Sequence, residues 1–186
     1  MDAIELMLTR ESALKLQAPG PSADELERIF ASAVRAPDHG RLRPWQFVVI
    51  NEDQRGAFGD LMAESMRRRD PTAGPGELAR EREKAFRSPT IIAVVAKLKR
   101  DTKIPDVEQI ASAAAAAQTI ILAAPALGYG AVWKTGAPAY DAFVKTSLGL
   151  EAEDQIIGFL YIGTRAGGSS PIPRPQVIDF VTTWRG

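Results

Sequence analysis

Apolar and polar positions along this chain switch between a helical and a strand-like period, and the switches mark out its elements. From Asp2 to about Thr9, the residues Ile4, Leu6, Met7 and Leu8 supply the apolar faces of an opening helix. Ser22-Ala23-Asp24-Glu25 has the spacing of a capping box, in which the serine hydroxyl takes a backbone N–H and the glutamate reaches back. Behind it Leu26, Ile29, Phe30 and Ala33 recur at i, i+3, i+4 and i+7, one buried helical stripe. That helix is expected to stop near Arg35-Ala36-Pro37, because the residue before a proline avoids helical geometry.

Pro44 to Ile50 reads as a turn into a strand, and Phe58, Leu61, Met62 and Ser65 mark another helix. Asp70 to Gly76 is expected to be a loop, mobile by composition, followed by a charged helix to about Phe86. Thr90 to Ala96 is a β-branched apolar run and predicts a buried strand. An Ala-rich helix follows from about Val107 to Leu127, then a short strand from Gly130 to Lys134. Tyr140 to Leu148 reads as helix and Gln155 to Gly163 as the last strong strand. The tail from Thr164 holds Gly167-Gly168-Ser169-Ser170 and Pro171, Pro173 and Pro175, and admits no regular helix before Gln176. Helices and short strands alternate at unequal spacing, without an internal repeat. No Gly-x-Gly-x-x-Gly follows a strand, and there is no Walker loop. The pattern predicts a single α+β domain over residues 1–186, one layer of sheet with helices around it.

Composition narrows the function classes. At 186 residues and 45% hydrophobic, the chain has material for one real core. Lys+Arg and Asp+Glu both total 23, so no net field gathers a nucleic acid or an anionic membrane, and neither is expected as a partner. Arg67-Arg68-Arg69, followed by Asp70, reads as a solvated helix end. The lack of cysteine excludes disulfides, thiolate metal sites and a Cys nucleophile, and a single histidine, His39, argues against a His-based metal site. No charged residue occurs from Ile110 through Trp133, which raises the question of a membrane span. The run is mostly alanine and is interrupted by Ser112, Gln118, Thr119 and Pro125, so a buried helix leading into a buried strand is the expectation. Asp2, Glu5 and Arg10 break up the first apolar turns, and no secretion signal is read there. A cytoplasmic protein is expected.

Three segments, in this order, resemble the nitroreductase family. Arg10-Glu11-Ser12 after the opening helix is similar to its Arg-x-Ser signature. Arg35-Ala36-Pro37-Asp38-His39-Gly40-Arg41-Leu42-Arg43-Pro44-Trp45-Gln46-Phe47 is similar to the segment that ends in Gln-Pro-Trp-x-Phe. Gly128-Tyr129-Gly130-Ala131-Val132-Trp133-Lys134-Thr135-Gly136 resembles the third, with Ile156 to Gly163 closing the sheet. Each is weak alone; the ordered set spans nearly the whole chain. The short length and the Ala-Pro-Asp-His variant resemble the minimal bacterial members. The resemblance implies a nitroreductase-like FMN-binding fold with a central mixed β-sheet surrounded by helices. It also implies a homodimer packed through the helix from about Val107 to Leu127, with FMN sites at the interface built from both chains.

Carried over residue by residue, the resemblance gives Arg10 and Ser12 the FMN phosphate or ribityl chain, with Glu11 contributing its backbone between them. The chemistry agrees: a guanidinium forks onto phosphate oxygens and a hydroxyl adds a neutral donor. Taken alone, Arg10 is a helix C-terminal cation and Ser12 a cap. Arg35 and His39 would come from the partner chain and line the flavin. His39 invites an acid–base reading, but a flavin takes hydride at N5 without a protein base, so a hydrogen-bonding role is expected. Pro37, Pro44 and Trp45 shape the loop and pack in the core. Trp133-Lys134-Thr135-Gly136 matches the segment along the flavin's reactive edge, where a backbone N–H near the final glycine bonds N5 and glycine permits close approach. Lys134 would favour the anionic reduced flavin, and Trp133 would pack on the ring or cover it. Without the resemblance, Trp133 is core at a strand end and Lys134 is solvated. Ala123 to Gly128 matches a stretch of NAD(P) contact in small members, though its residues carry no distinctive chemistry.

The chain departs from the family pattern at three positions. Leu14 stands where many members carry Lys, with Lys15 following it. Arg41 stands where many carry Asn, and Thr135 where Glu is frequent. These leave FMN binding intact and bear on nitro-compound turnover. Arg165 and Arg174 could add a phosphate contact from the tail, though neither matches a motif. The expectation is an FMN-dependent oxidoreductase with no catalytic side chain and no metal. Hydride passes from NAD(P)H to flavin N5, and a small electron-poor acceptor, a nitroaromatic or quinone, is then reduced in a ping-pong cycle. An FMN-storing module with little turnover, a flavoenzyme of this fold with another redox substrate, and a dimeric protein without flavin remain alternatives. No ribose-reading motif separates NADH from NADPH.

Overall fold

The computed structural model describes residues 2–168 and 173–186. Ser169, Ser170 and Pro171 of the tail motif lie outside the described residues. Five strands form one sheet: β1 (Leu16–Gln17), β2 (Trp45–Ile50), β3 (Thr90–Ala96), β4 (Gly130–Lys134) and β5 (Gln155–Arg165). β5 is the hub. One of its edges takes β3, with a register shift between Val94 and Val95. The other takes β4, from Gly130 opposite Gly163 to Lys134 opposite Phe159, and then β1, where Leu16 faces Arg165. β2 lies outside β3. Every one of these ladders is antiparallel, so the expected mixed sheet is corrected: no two neighbouring strands among the described residues run in the same direction.

Alternation along the strands sends side chains to two faces and divides the core. Ile91, Ala93, Val95, Phe159 and Tyr161 meet Phe58 and Met62 of α3 (Arg55–Arg69) on one side. Ile92, Val94, Leu160 and Ile162 meet Ile29 and Ala33 of α2 (Ala23–Ala33) and Ile120 of α5 (Asp106–Ala126) on the other. Leu160 and Ile92 are wholly removed from solvent, each worth about 2 kcal/mol relative to exposure. The helices therefore form outer layers, and β3 is buried along its whole length, as its unbroken apolar run predicts.

Local chemistry sets the helix ends. Asp2 accepts the Ile4 N–H at 2.8 Å and opens α1 (Ala3–Thr9). The predicted capping box is present at α2: the Ser22 N–H donates to Glu25 Oε2 at 2.9 Å, and Ser22 Oγ accepts from the Glu25 N–H. α5 closes in a Schellman turn. Gly128 takes φ 91°, its N–H donates to Pro125 O at 2.9 Å, and the Tyr129 N–H reaches Ala124 O at 3.0 Å. By length and composition α5 is apolar enough to cross a membrane; here its buried positions pack against α2 and the sheet.

Three local expectations change. The Asp70 to Gly76 stretch is a short bonded turn. Asp70 Oδ1 accepts from the Thr72 N–H and hydroxyl, and Pro75 already begins α4 (Pro75–Glu83), whose Glu77 carboxylate takes the Gly74 N–H. The helix expected from Tyr140 to Leu148 is two pieces, α6 (Ala137–Tyr140) and α7 (Ala142–Ser147). Asp141 is extended between them and caps the second through the Phe143 N–H. β1 was not foreseen, since two residues show no period; its pairing with β5 defines it.

Candidate functional site

The Arg10-Glu11-Ser12 segment leaves α1 and is fastened to the start of β4, where the Ala13 N–H donates to Ala131 O at 3.0 Å. Glu11 forms an ion pair with Arg165 at the end of β5. Arg174, from the tail, donates to Arg10 O at 2.7 Å. The half-buried Arg10 guanidinium and Ser12 hydroxyl have no hydrogen-bond or ion-pair partner among the described residues. Arg165 is thus held by the Glu11 carboxylate, while Arg174 meets the backbone of the same segment. The donor set suits a dianionic phosphate, which fork-shaped cations hold well. Glu11 contributes its carboxylate to this cluster by fixing Arg165, where only its backbone was expected to take part.

At the far end of β4, the strand's alternation splits Trp133 from Lys134. Trp133 turns toward the α5 face, lies across Gly158 and donates its Nε1–H to Ile157 O at 3.3 Å. A Cβ at Gly158 would stand 2.2 Å from that nitrogen. Trp133 is thus strand-end core. Lys134 is exposed on the opposite face, and with Thr135 and Gly136 it borders a cavity of about 200 Å³. Gly136 has φ 113°, a conformation that side-chain-bearing residues avoid, and its carbonyl accepts from the Ala139 N–H at 3.0 Å.

Arg35 and His39 stand elsewhere in the same chain. Both are exposed. His39 Nδ1 lies 2.5 Å from Glu108 Oε2, in the first turn of α5, and Ser112 Oγ donates to Pro37 O at 2.7 Å. The Arg35–Arg43 segment is therefore fixed to the N-terminal end of α5, whereas Arg10–Ser12 is fixed just beyond its C-terminal end. A 21-residue helix separates its ends by about 30 Å. One chain does not bring the two groups together. Within the first segment, Arg41 (φ 56°) and Arg43 (φ 50°) hold left-handed conformations, with the Arg43 N–H donating to Asp38 Oδ2 at 2.7 Å. Ala123 to Gly128 is the end of α5, and the Ala123, Ala124 and Pro125 carbonyls are taken up by the closing turn.

Arg165, named from the sequence without a motif, ends the strand that pairs with β1 and β4. Sequence reasoning missed two participants. Tyr161 and Arg87 line the cavity beside Lys134; a signal existed for Tyr161, which shares a β5 face with Phe159 by the period of two.

Comparison with known proteins places these features in a family. The profile described as "Nitroreductase family" matches residues 7–164. An Escherichia coli (strain K12) protein named "Putative NAD(P)H nitroreductase YdjA" is 37% identical over 185 residues, covering 98% of this chain and 99% of its own. Among solved structures, a nitroreductase-like family protein from Bacillus cereus superposes with a TM-score of 0.84 at 22% identity, over 100% of this chain and 97% of that one. The FMN and NADPH-dependent nitroreductase NfnB from sphigopyxis sp. strain HMH superposes at 0.80, with 20% identity, over the full length of both chains.

Proposed function

The chain belongs to the nitroreductase family, and on that premise we propose that it is a homodimeric, FMN-dependent oxidoreductase. It would take electrons from NAD(P)H and deliver them to a small electron-poor acceptor such as a nitroaromatic or a quinone. The observation that carries this reading is the arrangement along β4. The cationic cluster of Arg10, Ser12 and Arg165 is joined to one end of the strand, and the Lys134–Gly136 turn forms the other. Five residues of strand span about 15 Å, a separation that suits a phosphate-terminated ribityl chain ending in a flat tricyclic ring. When bound, FMN supplies hydride acceptance from a nicotinamide and the return of electrons to a second substrate.

The protein's own part is to bind and orient. Arg10 and Ser12 hold the phosphate, with Arg165 kept in place by Glu11. Gly136 lets backbone approach the ring, and Lys134 places positive charge beside it. Trp133 supports this edge from behind through Gly158 and Ile157. His39, already bonded to Glu108, is suited to hydrogen bonding.

A second copy of the chain completes the site. The face of α5 turned away from the core carries Val107, Ala111, Ala114, Gln118, Leu122 and Pro125, exposed or half-exposed and uncharged. Small residues along such a stripe permit close helix approach. Ile4, Met7 and Leu8 of α1 and Val177, Ile178, Phe180 and Trp184 of the tail are also exposed, and extended apolar surface of this kind marks an interface. A two-fold axis across α5 sets two copies of the helix antiparallel, which carries the Arg35–His39 segment of one chain to the Arg10–Ser12 end of the other.

The test is a visible spectrum of the purified protein, taken before and after NADPH without oxygen and again with NADH on a fresh sample. Yellow protein that releases FMN and bleaches with reductant supports the reading. Yellow protein that does not bleach supports an FMN-binding module instead, and colourless protein that cannot be reconstituted with FMN overturns it.

A further inference from the structure

The cavity beside Lys134 has a one-sided charge. It lies between α3, α4, the end of β4 and α6, and four cations line it: Arg69, Lys84, Arg87 and Lys134. The one carboxylate on its wall, Glu81, is buried and ion-paired with Lys84. Arg69 leans on Asp141 at 3.4 Å. Arg87 and Lys134 have no ion-pair partner among the described residues. Two cations therefore remain uncompensated at a cavity of about 200 Å³.

A second observation is independent of this charge. Tyr161 lines the same cavity, its residue is only 4% exposed, and its hydroxyl has no hydrogen-bond partner among the described residues. No sealed side-chain polar atom among the described residues lacks a partner, so this unbonded hydroxyl opens onto the cavity and is free to donate into it. Burial pushes the Tyr161 phenol up to about 12, so at neutral pH it is protonated and able to donate. A hydroxyl donor set among unpaired cations is the donor set for a small planar anion.

We propose that this cavity receives the carboxylate of the electron acceptor, held by Arg87 and Lys134 with Tyr161 Oη donating, so that carboxylate-bearing acceptors are the favoured substrate class. The choice of acceptor as the source of the carboxylate rests on the flavin reading above, because Lys134 and Gly136 border both the cavity and the edge assigned to the ring. The remainder of a small aromatic carboxylate seated there would project toward that edge.

Isothermal titration of the purified protein with benzoate, and separately with its neutral counterpart benzamide, tests this directly, since neither probe is reduced. Benzoate is expected to bind at least tenfold more tightly than benzamide. Arg87→Gln and Tyr161→Phe should each weaken benzoate by about tenfold, the effect of losing one charged hydrogen bond, and leave FMN content unchanged. Equal binding of the two probes would overturn the proposal. So would variants that loosen FMN while benzoate binding persists, since the cavity would then serve the flavin itself. Protein that takes up no FMN overturns the flavin reading, whereas the benzoate titration still decides the cavity.

Discussion

Tyr129 donates its phenol hydrogen to the Glu25 carboxylate across 2.7 Å, tying the turn after α5 to the first turn of α2. Glu25 thus closes the capping box and anchors the strand that follows α5. The Ser22 N–H, then the Tyr129 hydroxyl, hold its carboxyl below the usual value of 4.5. A carboxyl lowered in the folded state contributes stability above its unfolded value and loses it as pH falls through the folded value. Unfolding free energy measured in urea is therefore expected to drop on acidification below about pH 4.5, with a smaller drop in Tyr129→Phe. Ser22→Ala should cost about 1 kcal/mol at neutral pH.

Alkaline pH acts through Tyr161. Its folded phenol is raised to about 12 by burial, above the ordinary value near 10, so unfolding is favoured as pH rises from the lower value to the higher. The Tyr129 phenol is raised too, by its hydrogen bond to Glu25, so ultraviolet titration should show two phenols ionising late, and Tyr161→Phe should remove one of those steps.

Gly158 is the floor on which Trp133 lies. Gly158→Ala places a methyl carbon 2.2 Å from Trp133 Nε1 and 2.9 Å from Lys134 O. The indole must leave and β4 must shift. A loss of roughly 1–3 kcal/mol is expected, with a change in tryptophan fluorescence. An unchanged emission spectrum would show that Trp133 does not rest there.

Arg41 holds φ 56°, a conformation that costs an ordinary residue about 1–2 kcal/mol and that asparagine tolerates better. Arg41→Asn should raise the melting temperature. The turn between His39 and Pro44 carries strain of the sort found where backbone is held for a purpose.

The proposed dimer can be tested by a single substitution. Ala111→Arg puts a long cation on the exposed, uncharged face of α5 while leaving its buried face untouched. Sedimentation is expected to show a folded monomer, and FMN retention should fall with it. A dimer of unchanged affinity would move the interface elsewhere.

Much of the fold was legible because local chemistry decides it. The Ser22–Glu25 box, the β-branched run of β3 and the α5 stop at Gly128-Tyr129 each follow from neighbours within a few residues. The ordered Arg10–Ser12, Arg35–Phe47 and Gly128–Gly136 segments carried the family in the same way, and the comparisons bear that family out. What sequence reasoning missed depends on residues far apart. β1 exists through Arg165, and the break at Asp141 comes with contacts to Ser65 and Arg69.

The sequence by itself determined most of the elements, the family and the residues proposed to meet a flavin phosphate, since periodicity, capping and motif order are local properties of the chain. Only the tertiary structure decided which of those residues meet. It joined Arg10–Ser12 to β4 and Arg165, turned Trp133 and Lys134 to opposite faces, and set Tyr161 beside Arg87 at the cavity. The reason is physical: strand register and helix length fix distances between residues that the order of the chain leaves free, and α5 alone keeps His39 about 30 Å from the Arg10–Ser12 segment of its own chain.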